Sequence, residues 1–165
     1  MSDHDDHVSL LPEPDYTEAL AQTVGVSVWD LIEVLGAEWH LLPDGGDDSQ
    51  AGPSGSGDHF GQWFASGVPF QLALRLTDGG IEVGVPGRRW AGAHTPVWHV
   101  HNRCFVPGFG QAVLTAARPV VAEALKKRRS AFRYCRYCRR QTPPEGRNLP
   151  DVCFGCATMW LGHIY

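Results

Sequence analysis

Residues 70–85 read FQLALRLTDGGIEVGV, and this stretch decides the fold class. Apolar residues alternate with polar or small ones on both sides of the Asp78-Gly79 dipeptide, which is typical of strands that bury one face. An Asp-Gly pair between two such runs favours a tight hairpin turn. We therefore predict an antiparallel hairpin with strands at 70–76 and 81–85, and we expect Pro86-Gly87 to end the second strand.

Further regular elements are predicted on both sides of this hairpin. Residues 96–106 alternate again and indicate a third strand. Residues 113–125 carry apolar residues at helical spacing, and Pro119 inside this run predicts a kink or a restart of the helix. Before the hairpin, two shorter helical patterns end at Gly25 and Gly36. Together these patterns predict an α+β fold with a small antiparallel sheet and one long helix.

The composition is that of a globular protein. The chain has 165 residues, of which 43% are hydrophobic and 19% are charged, enough for one domain or for one domain with a small extra module. No apolar run approaches the roughly 18 residues that a membrane span requires. The first residues are acidic, whereas a secretory signal begins with basic and then apolar residues. We therefore expect a cytoplasmic protein with no membrane partner, in which cysteines bind metal rather than form disulfides.

Charge is distributed unevenly along the chain. Residues 1–74 contain 13 acidic residues and no Lys or Arg, whereas residues 75–165 contain all 14 basic residues and 5 acidic ones. The two parts therefore carry formal charges of −13 and +9. Such asymmetry favours a polyanionic partner, or an acidic cover for the basic part of the same chain. The alternative is that the acidic residues keep the first part soluble and the basic ones cap a helix end.

Two C-x-x-C pairs lie near the C-terminus, Cys135 with Cys138 and Cys153 with Cys156, separated by 14 residues. Each C-x-x-C turn points two thiolates at one place, and two such turns complete a tetrahedron around zinc. Four thiolates leave no open coordination position, so we predict one structural Zn²⁺ per chain rather than a catalytic metal. The alternatives are a redox pair and a chance spacing.

The order of a first knuckle, a hairpin and a second knuckle that opens into a helix resembles the treble-clef class of zinc fingers. The resemblance lies within residues 133–165 and implies a fold element rather than an activity. Some treble clefs are nucleases that use a His near the end of the first hairpin strand, but no His lies between the two cysteine pairs. Nuclease activity is therefore not expected. The helix after Cys153 is predicted to bury Ala157, Trp160, Leu161 and Ile164.

These patterns divide the chain into four segments. Gly, Ser, Pro and Asp dominate the second segment, which indicates a flexible connection. The predicted boundaries are 1–42 for an acidic N-terminal tail and helical hairpin, 43–58 for a flexible linker, 59–132 for the α+β core and 133–165 for the four-cysteine zinc finger.

A cluster of basic residues with interleaved aromatic residues precedes and includes the first cysteine pair. Arg and Lys bind phosphates, and exposed aromatic rings stack on unpaired bases, a combination that single-strand and RNA binders use. The alternative is that the aromatic residues pack the small core of the zinc module, Phe132 above all. The predicted nucleic-acid-binding residues are Lys126, Lys127, Arg128, Arg129, Arg133, Arg136, Tyr137, Arg139 and Arg140.

Residues 20–35 resemble a helix-turn-helix, with Ala in the first helix and Gly-Val-Ser in the turn. The resemblance implies DNA binding through the second helix. That helix, however, offers Trp29, Asp30 and Glu33 where a DNA-binding protein offers Arg, Lys, Asn or Gln. With no cation in residues 1–74, phosphate contact would be repulsive. We therefore expect this helical hairpin to serve packing or a protein partner.

Three histidines and one further cysteine lie around the third predicted strand. His94 precedes this strand, and His99 and His101 would share one of its faces, which a metal could use. No acidic or nucleophilic residue next to them completes a catalytic set, so no catalytic residue is assigned. Cys104 is expected to be a small core residue.

Two functions of different classes follow from these patterns. The first is a non-enzymatic, zinc-containing nucleic-acid-binding or transcription-associated regulatory protein that acts through its basic C-terminal surface. The second is a protein-interaction module of the immunity, antitoxin or adaptor type, in which acidic residues 1–58 bind a basic partner or mimic a polyanion. An enzyme that uses His99 and His101 has the least support.

Overall fold

The computed structural model describes residues 14–42, 59–90 and 96–162 of the chain. Most of the predicted tail, the predicted linker at 43–58, His94 and Ile164 lie outside the described residues. Within these ranges the chain forms an α+β fold with four helices, a five-stranded antiparallel sheet and a C-terminal four-cysteine cluster, as predicted.

The sheet is a meander, because its strand order follows the sequence and every neighbouring pair is antiparallel. Two of its strands, β1 and β2, are short and were not predicted from the sequence. The strands are β1 at Trp39–Leu41, β2 at Trp63–Ser66, β3 at Leu72–Thr77, β4 at Gly80–Trp90 and β5 at Pro96–Pro107.

The predicted hairpin is confirmed as β3 and β4. Its strands meet at the Thr77 and Gly80 pair, so Asp78 and Gly79 form the turn. Gly80 has a φ of 156°, and a Cβ there would lie 2.2 Å from the carbonyl oxygen of Val106. Only glycine fits this close approach of two strands.

Strand β4 continues to Trp90, so the prediction that Pro86-Gly87 ends it is wrong. The pairing with β3 finishes at Gly84, and the register with β5 shifts between Val83 and Val85. Beyond this irregularity, β5 is the only described strand that pairs with β4. Proline lacks a backbone N–H, and Pro86 is tolerated because no other described strand pairs with β4 there.

Three helices cover one face of the sheet: α1 at Thr17–Val24, α2 at Val28–Leu35 and α3 at Gly110–Ser130. The long helix α3 runs without restarting through Pro119. The alternating side chains of the hairpin point at these helices and form the main core. The buried residues of this core include Leu72, Leu74, Leu76, Ile81, Val83, Val113, Leu114 and Ala117.

The N-terminal hairpin of α1 and α2 belongs to the same core. Leu20 and Leu31 are fully buried in it, and β1 extends the sheet directly after α2. Ser27 caps α2, because its hydroxyl accepts a hydrogen bond of 3.1 Å from the backbone N–H of Asp30. The predicted segments 1–42 and 59–132 therefore share one core and one sheet where the structure describes them.

The C-terminal module follows α3. It contains two short hairpins and one helix, and the second hairpin leads directly into that helix. The elements are β6 at Arg133–Tyr134, β7 at Gln141–Thr142, a 3₁₀ turn at Pro144–Gly146, β8 at Arg147–Leu149, β9 at Val152–Cys153 and α4 at Phe154–Leu161. None of the helices described combines the length and hydrophobicity that crossing a bilayer requires.

Candidate metal centre

The four predicted cysteine ligands come together in the C-terminal module. The Sγ atoms of Cys135, Cys138, Cys153 and Cys156 all lie within 4.8 Å of one another. A Zn–S distance of about 2.3 Å in a tetrahedron corresponds to an S–S edge of about 3.8 Å. The Sγ atoms of Cys138 and Cys153 are 3.8 Å apart. The cluster therefore has the dimensions of a tetrahedral metal site.

Local backbone geometry turns the first cysteine pair inward. The backbone N–H of Cys135 donates to the Arg140 carbonyl at 2.9 Å, and the Arg139 N–H donates to the Cys135 carbonyl at the same distance. Arg139 has a φ of 59°, the left-handed conformation that closes such a tight turn. The turn between β6 and β7 thus forms a knuckle that carries Cys135 and Cys138.

The second cysteine pair lies at the start of α4. Cys153 ends β9 and is the N-cap of α4, and Cys156 lies in the first turn of the helix. The backbone N–H of Cys153 also donates to the Sγ atom of Cys135 over 3.4 Å. The two pairs are therefore joined by this backbone hydrogen bond, and their four thiols also lie close together.

The cluster has an inner and an outer side. Cys135 and Cys156 are buried with Val152 and Ala157 in a small separate core, whereas Cys138 is exposed. This core holds only a few apolar side chains. In this small module the four cysteines therefore have the structural role that a larger hydrophobic core has in a bigger domain.

The thiols differ in their tendency to ionise. Hydrogen bonds from the backbone N–H groups of Cys153, Cys138 and Tyr137 lower the pKa of the Cys135 thiol to about 6, although burial opposes this. Burial, together with hydrogen bonds to the other thiols and the nearby charge of Cys135, raises the pKa of the Cys156 thiol to about 12. The Cys135 thiol therefore ionises readily, whereas ionisation of the Cys156 thiol is strongly disfavoured. A bound cation removes the cost of ionising this second thiol, because it deprotonates the thiols that coordinate it.

Two predictions about the surroundings of the cluster are wrong. Trp160 is 63% exposed and stacks on Tyr137, with ring centroids 6.5 Å apart and an interplanar angle of 19°. The buried face of α4 consists instead of Cys156 and Ala157, with Leu161 packed against them. Cys104 is exposed on β5 rather than buried in the core, because β5 is an edge strand of the sheet.

Most of the predicted nucleic-acid-binding residues are exposed. Three lie on the last turns of α3, one in β6 and the others in the knuckle. Tyr134 and Tyr137, which are 65% and 41% exposed, lie among these cations. The exposed residues of the predicted set are Lys126, Lys127, Arg129, Arg133, Arg136, Tyr137, Arg139 and Arg140.

Some of these cations form ion pairs or contacts with aromatic rings. Lys127 lies 3.7 Å from Glu123 one helical turn away, and Arg136 lies 3.6 Å from Asp151. The Arg136 guanidinium also lies over the Tyr137 ring, 5.0 Å from its centre. No ion pair joins Lys126, Arg129, Arg139 or Arg140 to another residue of the described ranges.

Arg128 does not belong to this exposed set, so the prediction that it lies on the nucleic-acid-binding surface is wrong. Its side chain is 2% exposed and forms a bidentate ion pair with Glu145 of the C-terminal module. The distance from Nη1 of Arg128 to Oε2 of Glu145 is 3.0 Å. Its Nε also donates to the Phe70 carbonyl at 2.8 Å, and its guanidinium lies over Phe132. Phe132 therefore packs at this junction rather than in the core around Val152.

His99 and His101 do lie on one face of β5, with ring centroids 5.3 Å apart. Burial lowers the pKa of His99, and the Arg89 cation adds to this effect although Glu145 opposes it. Burial also lowers the pKa of His101, with further contributions from His99 and Arg128 and an opposing one from Glu145. Within the described ranges, three or more metal-ligand groups come together only in the cysteine cluster.

Comparison with protein-family models, curated proteins and solved structures finds no match to this chain.

Proposed function

We propose that the four cysteines hold one structural Zn²⁺ per chain in a treble-clef-like module. The chemistry of the donor set supports zinc, because four thiolates at tetrahedral spacing suit this ion and leave no position for a substrate. The order of the elements supports the treble-clef likeness: a knuckle between β6 and β7, a hairpin of β8 and β9, and a helix that starts at the second cysteine pair. When bound, zinc would cross-link the two cysteine pairs and would take no part in a reaction.

We further propose that the protein is a zinc-containing nucleic-acid-binding or transcription-associated regulatory protein that acts by binding rather than by catalysis. One observation carries this proposal: seven exposed cations and exposed Tyr134, Tyr137 and Trp160 occur together on the end of α3 and on the cysteine module. Cations neutralise phosphates and release counterions, while exposed rings accept stacked bases. The stacked pair of Tyr137 and Trp160 favours single-stranded over duplex nucleic acid.

Fluorescence anisotropy with a labelled single-stranded oligonucleotide, measured at several salt concentrations, tests this proposal. The logarithm of affinity should fall linearly with the logarithm of salt, by about 0.7 per phosphate contact. Replacing Arg139 and Arg140 by Gln should reduce this slope by about 1.4. A control removes two exposed cations elsewhere, Arg103→Gln and Arg118→Gln, the latter paired with Glu33, and should leave the slope unchanged. An undetectable affinity at low salt for the zinc-loaded protein would contradict the proposal.

A second candidate function has one observation in its favour. Trp29 on α2 is 80% exposed, and acidic Asp30 and Glu33 lie on the same helix, with Glu33 paired to Arg118 at 2.7 Å. Exposed tryptophans are common anchors of protein interfaces, and the acidic neighbours favour a basic partner. Polylysine is a suitable probe. The protein-interaction function predicts that the chain binds polylysine and that Trp29→Ala and Glu33→Gln weaken this binding. It also predicts that the chain does not bind the oligonucleotide.

A further inference from the structure

The rings of Tyr137 and Trp160 lie side by side on the surface of the C-terminal module. Their centroids are 6.5 Å apart, their planes differ by 19°, and both side chains are exposed. Neighbouring bases in nucleic acid are about 3.4 Å apart, so one planar base held between two rings needs a separation of about 6.8 Å. The two rings therefore have the orientation and the spacing that suit one base between them.

The cysteine cluster sets the positions of both rings. Tyr137 lies between Cys135 and Cys138 in the knuckle, and Trp160 lies four residues after Cys156 on α4. Four residues make about one helical turn, so Trp160 stands one turn beyond a cysteine of the cluster. Each ring is thus anchored next to a predicted metal ligand, and the spacing between the rings exists before any base binds.

Arg136 orients the ring of Tyr137. Its guanidinium lies 5.0 Å from the ring centre, and its Nη2 donates to the Tyr137 hydroxyl at 3.2 Å. Its backbone N–H also donates to the Asp151 carbonyl at 2.9 Å, which joins the knuckle to the second hairpin. A side chain that is already oriented loses less conformational entropy when it binds. Arg136 therefore acts on the ring as a positioning residue.

Two cations of the same knuckle are available for phosphates next to the base. Arg139 and Arg140 follow Cys138 directly, both are exposed, and neither forms an ion pair with another residue of the described ranges. Within a duplex both faces of a base are covered by its neighbours, so a base can enter between two rings only from a single strand.

We propose that Tyr137 and Trp160 clamp one unpaired purine base of a single strand, with its neighbouring phosphates on Arg139 and Arg140. This inference rests on the proposed nucleic-acid-binding function and names the part of the strand that is recognised. A purine is favoured over a pyrimidine because its two fused rings overlap more of the indole of Trp160. Sequence preferences of single-strand binders arise from such differences in stacking strength.

The fluorescent adenine analogue 2-aminopurine tests the clamp, because stacking on aromatic rings quenches it. One 2-aminopurine is placed within an oligothymidylate and titrated with the zinc-loaded full chain. Its fluorescence should fall on binding, and an oligothymidylate with one adenine should bind at least about threefold more tightly than one without. Equal affinities with no change in fluorescence would overturn the clamp and leave the nucleic-acid-binding function standing. Absence of any binding at low salt would overturn both.

Variants show whether one base contacts both rings. Tyr137→Ala and Trp160→Ala should each weaken the purine-containing oligonucleotide about fivefold or more and restore most of the fluorescence. Tyr137→Phe keeps the ring and should keep the quenching. Tyr134→Ala, which removes another exposed ring of the module, is the matched control and should change neither quantity. Recovery of fluorescence in only one of the two alanine variants would overturn the clamp, because the base would then stack on a single ring.

Adenosine monophosphate as a competitor separates a base within a strand from a free nucleotide. It should displace the purine-containing oligonucleotide only at concentrations at least about tenfold higher, because it lacks the phosphate on one side of the base. Displacement at equal concentrations would overturn the assignment to a strand.

Discussion

The ion pair of Arg128 and Glu145 joins the α+β core to the cysteine module, and Glu145→Ala tests its role. The wild-type side chains are 2% and 8% exposed, so both charges are largely buried. In the variant, Arg128 keeps its hydrogen bond to the Phe70 carbonyl and its contact with Phe132, but it loses the counter-charge. An uncompensated buried cation remains.

The expected loss of stability follows from this burial. Removing one partner of a buried ion pair costs about 3–5 kcal/mol, and the retained contacts of Arg128 place the expected value near 3 kcal/mol. Glu123→Ala is a matched control, because it removes a carboxylate from the Lys127 pair, whose side chains are more than half exposed. Exposed pairs contribute at most about 1 kcal/mol, so this control should change little.

Urea denaturation followed by circular dichroism, with zinc kept saturating, measures both variants. With a dependence on urea of about 2 kcal/mol per molar, a loss of 3 kcal/mol lowers the midpoint by about 1.5 M. The Glu123→Ala midpoint should stay within about 0.5 M of the wild type. A change below about 1 kcal/mol for Glu145→Ala would refute the argument that this pair is buried and holds the two parts together.

Three further predictions follow from particular residues. Because burial lowers the pKa values of His99 and His101, the unfolded state takes up protons first as pH falls below about 6.5, so the free energy of unfolding should decrease on acidification. Replacing both by Gln should flatten this dependence in urea titrations between pH 5 and 7.5. Gly80→Ala should destabilise the protein by more than about 1 kcal/mol in thermal unfolding, whereas Gly155→Ala, with open space in α4, should be neutral or stabilising. Tyr137→Ala should weaken single-stranded oligonucleotides more than duplex of equal length in the anisotropy assay, and an equal loss for both would argue against base stacking.

The sequence predicted those elements that have long periodic patterns. The β3 and β4 hairpin, strand β5 and helix α3 each contain several repeats of their period, which local side-chain spacing specifies. Strands β1 and β2 have only three and four residues, and all four residues of β2 are buried. Alternation cannot identify strands that are so short or that are covered on both faces.

The burial of Arg128 has a signal in the sequence. Val113, Ala117, Val121 and Ala124 are buried along α3, and Arg128 continues their helical spacing of three or four residues. A cation on the buried stripe of a helix requires a partner, and the sequence offered Glu145 as one of only five acidic residues after residue 74.

A cavity of about 380 Å³ where the sheet, the end of α3 and the C-terminal module meet could not have been predicted from the sequence. Its walls bring together Gly87, His99, Arg128 and Glu145, which lie in four separate elements, and only the packing of α3 and the module against the sheet places them side by side. The cysteine cluster was predictable for the opposite reason. The two cysteines of each C-x-x-C pair lie within one turn of the chain. The only long-range contact required is therefore the approach of the two turns to each other.

We propose that the four cysteines bind one zinc ion that holds the C-terminal module together. Fully burying Val152 and Ala157 contributes on the order of 4 kcal/mol at most, whereas zinc sites of this kind supply about 10–16 kcal/mol. Native mass spectrometry of the full chain, compared with the same chain denatured in acid, measures the metal directly. The account predicts one zinc ion per chain, retained in Cys104→Ser and lost in Cys138→Ser. A native chain without metal, with its cysteines joined as disulfides or present as free thiols in a folded module, would contradict it.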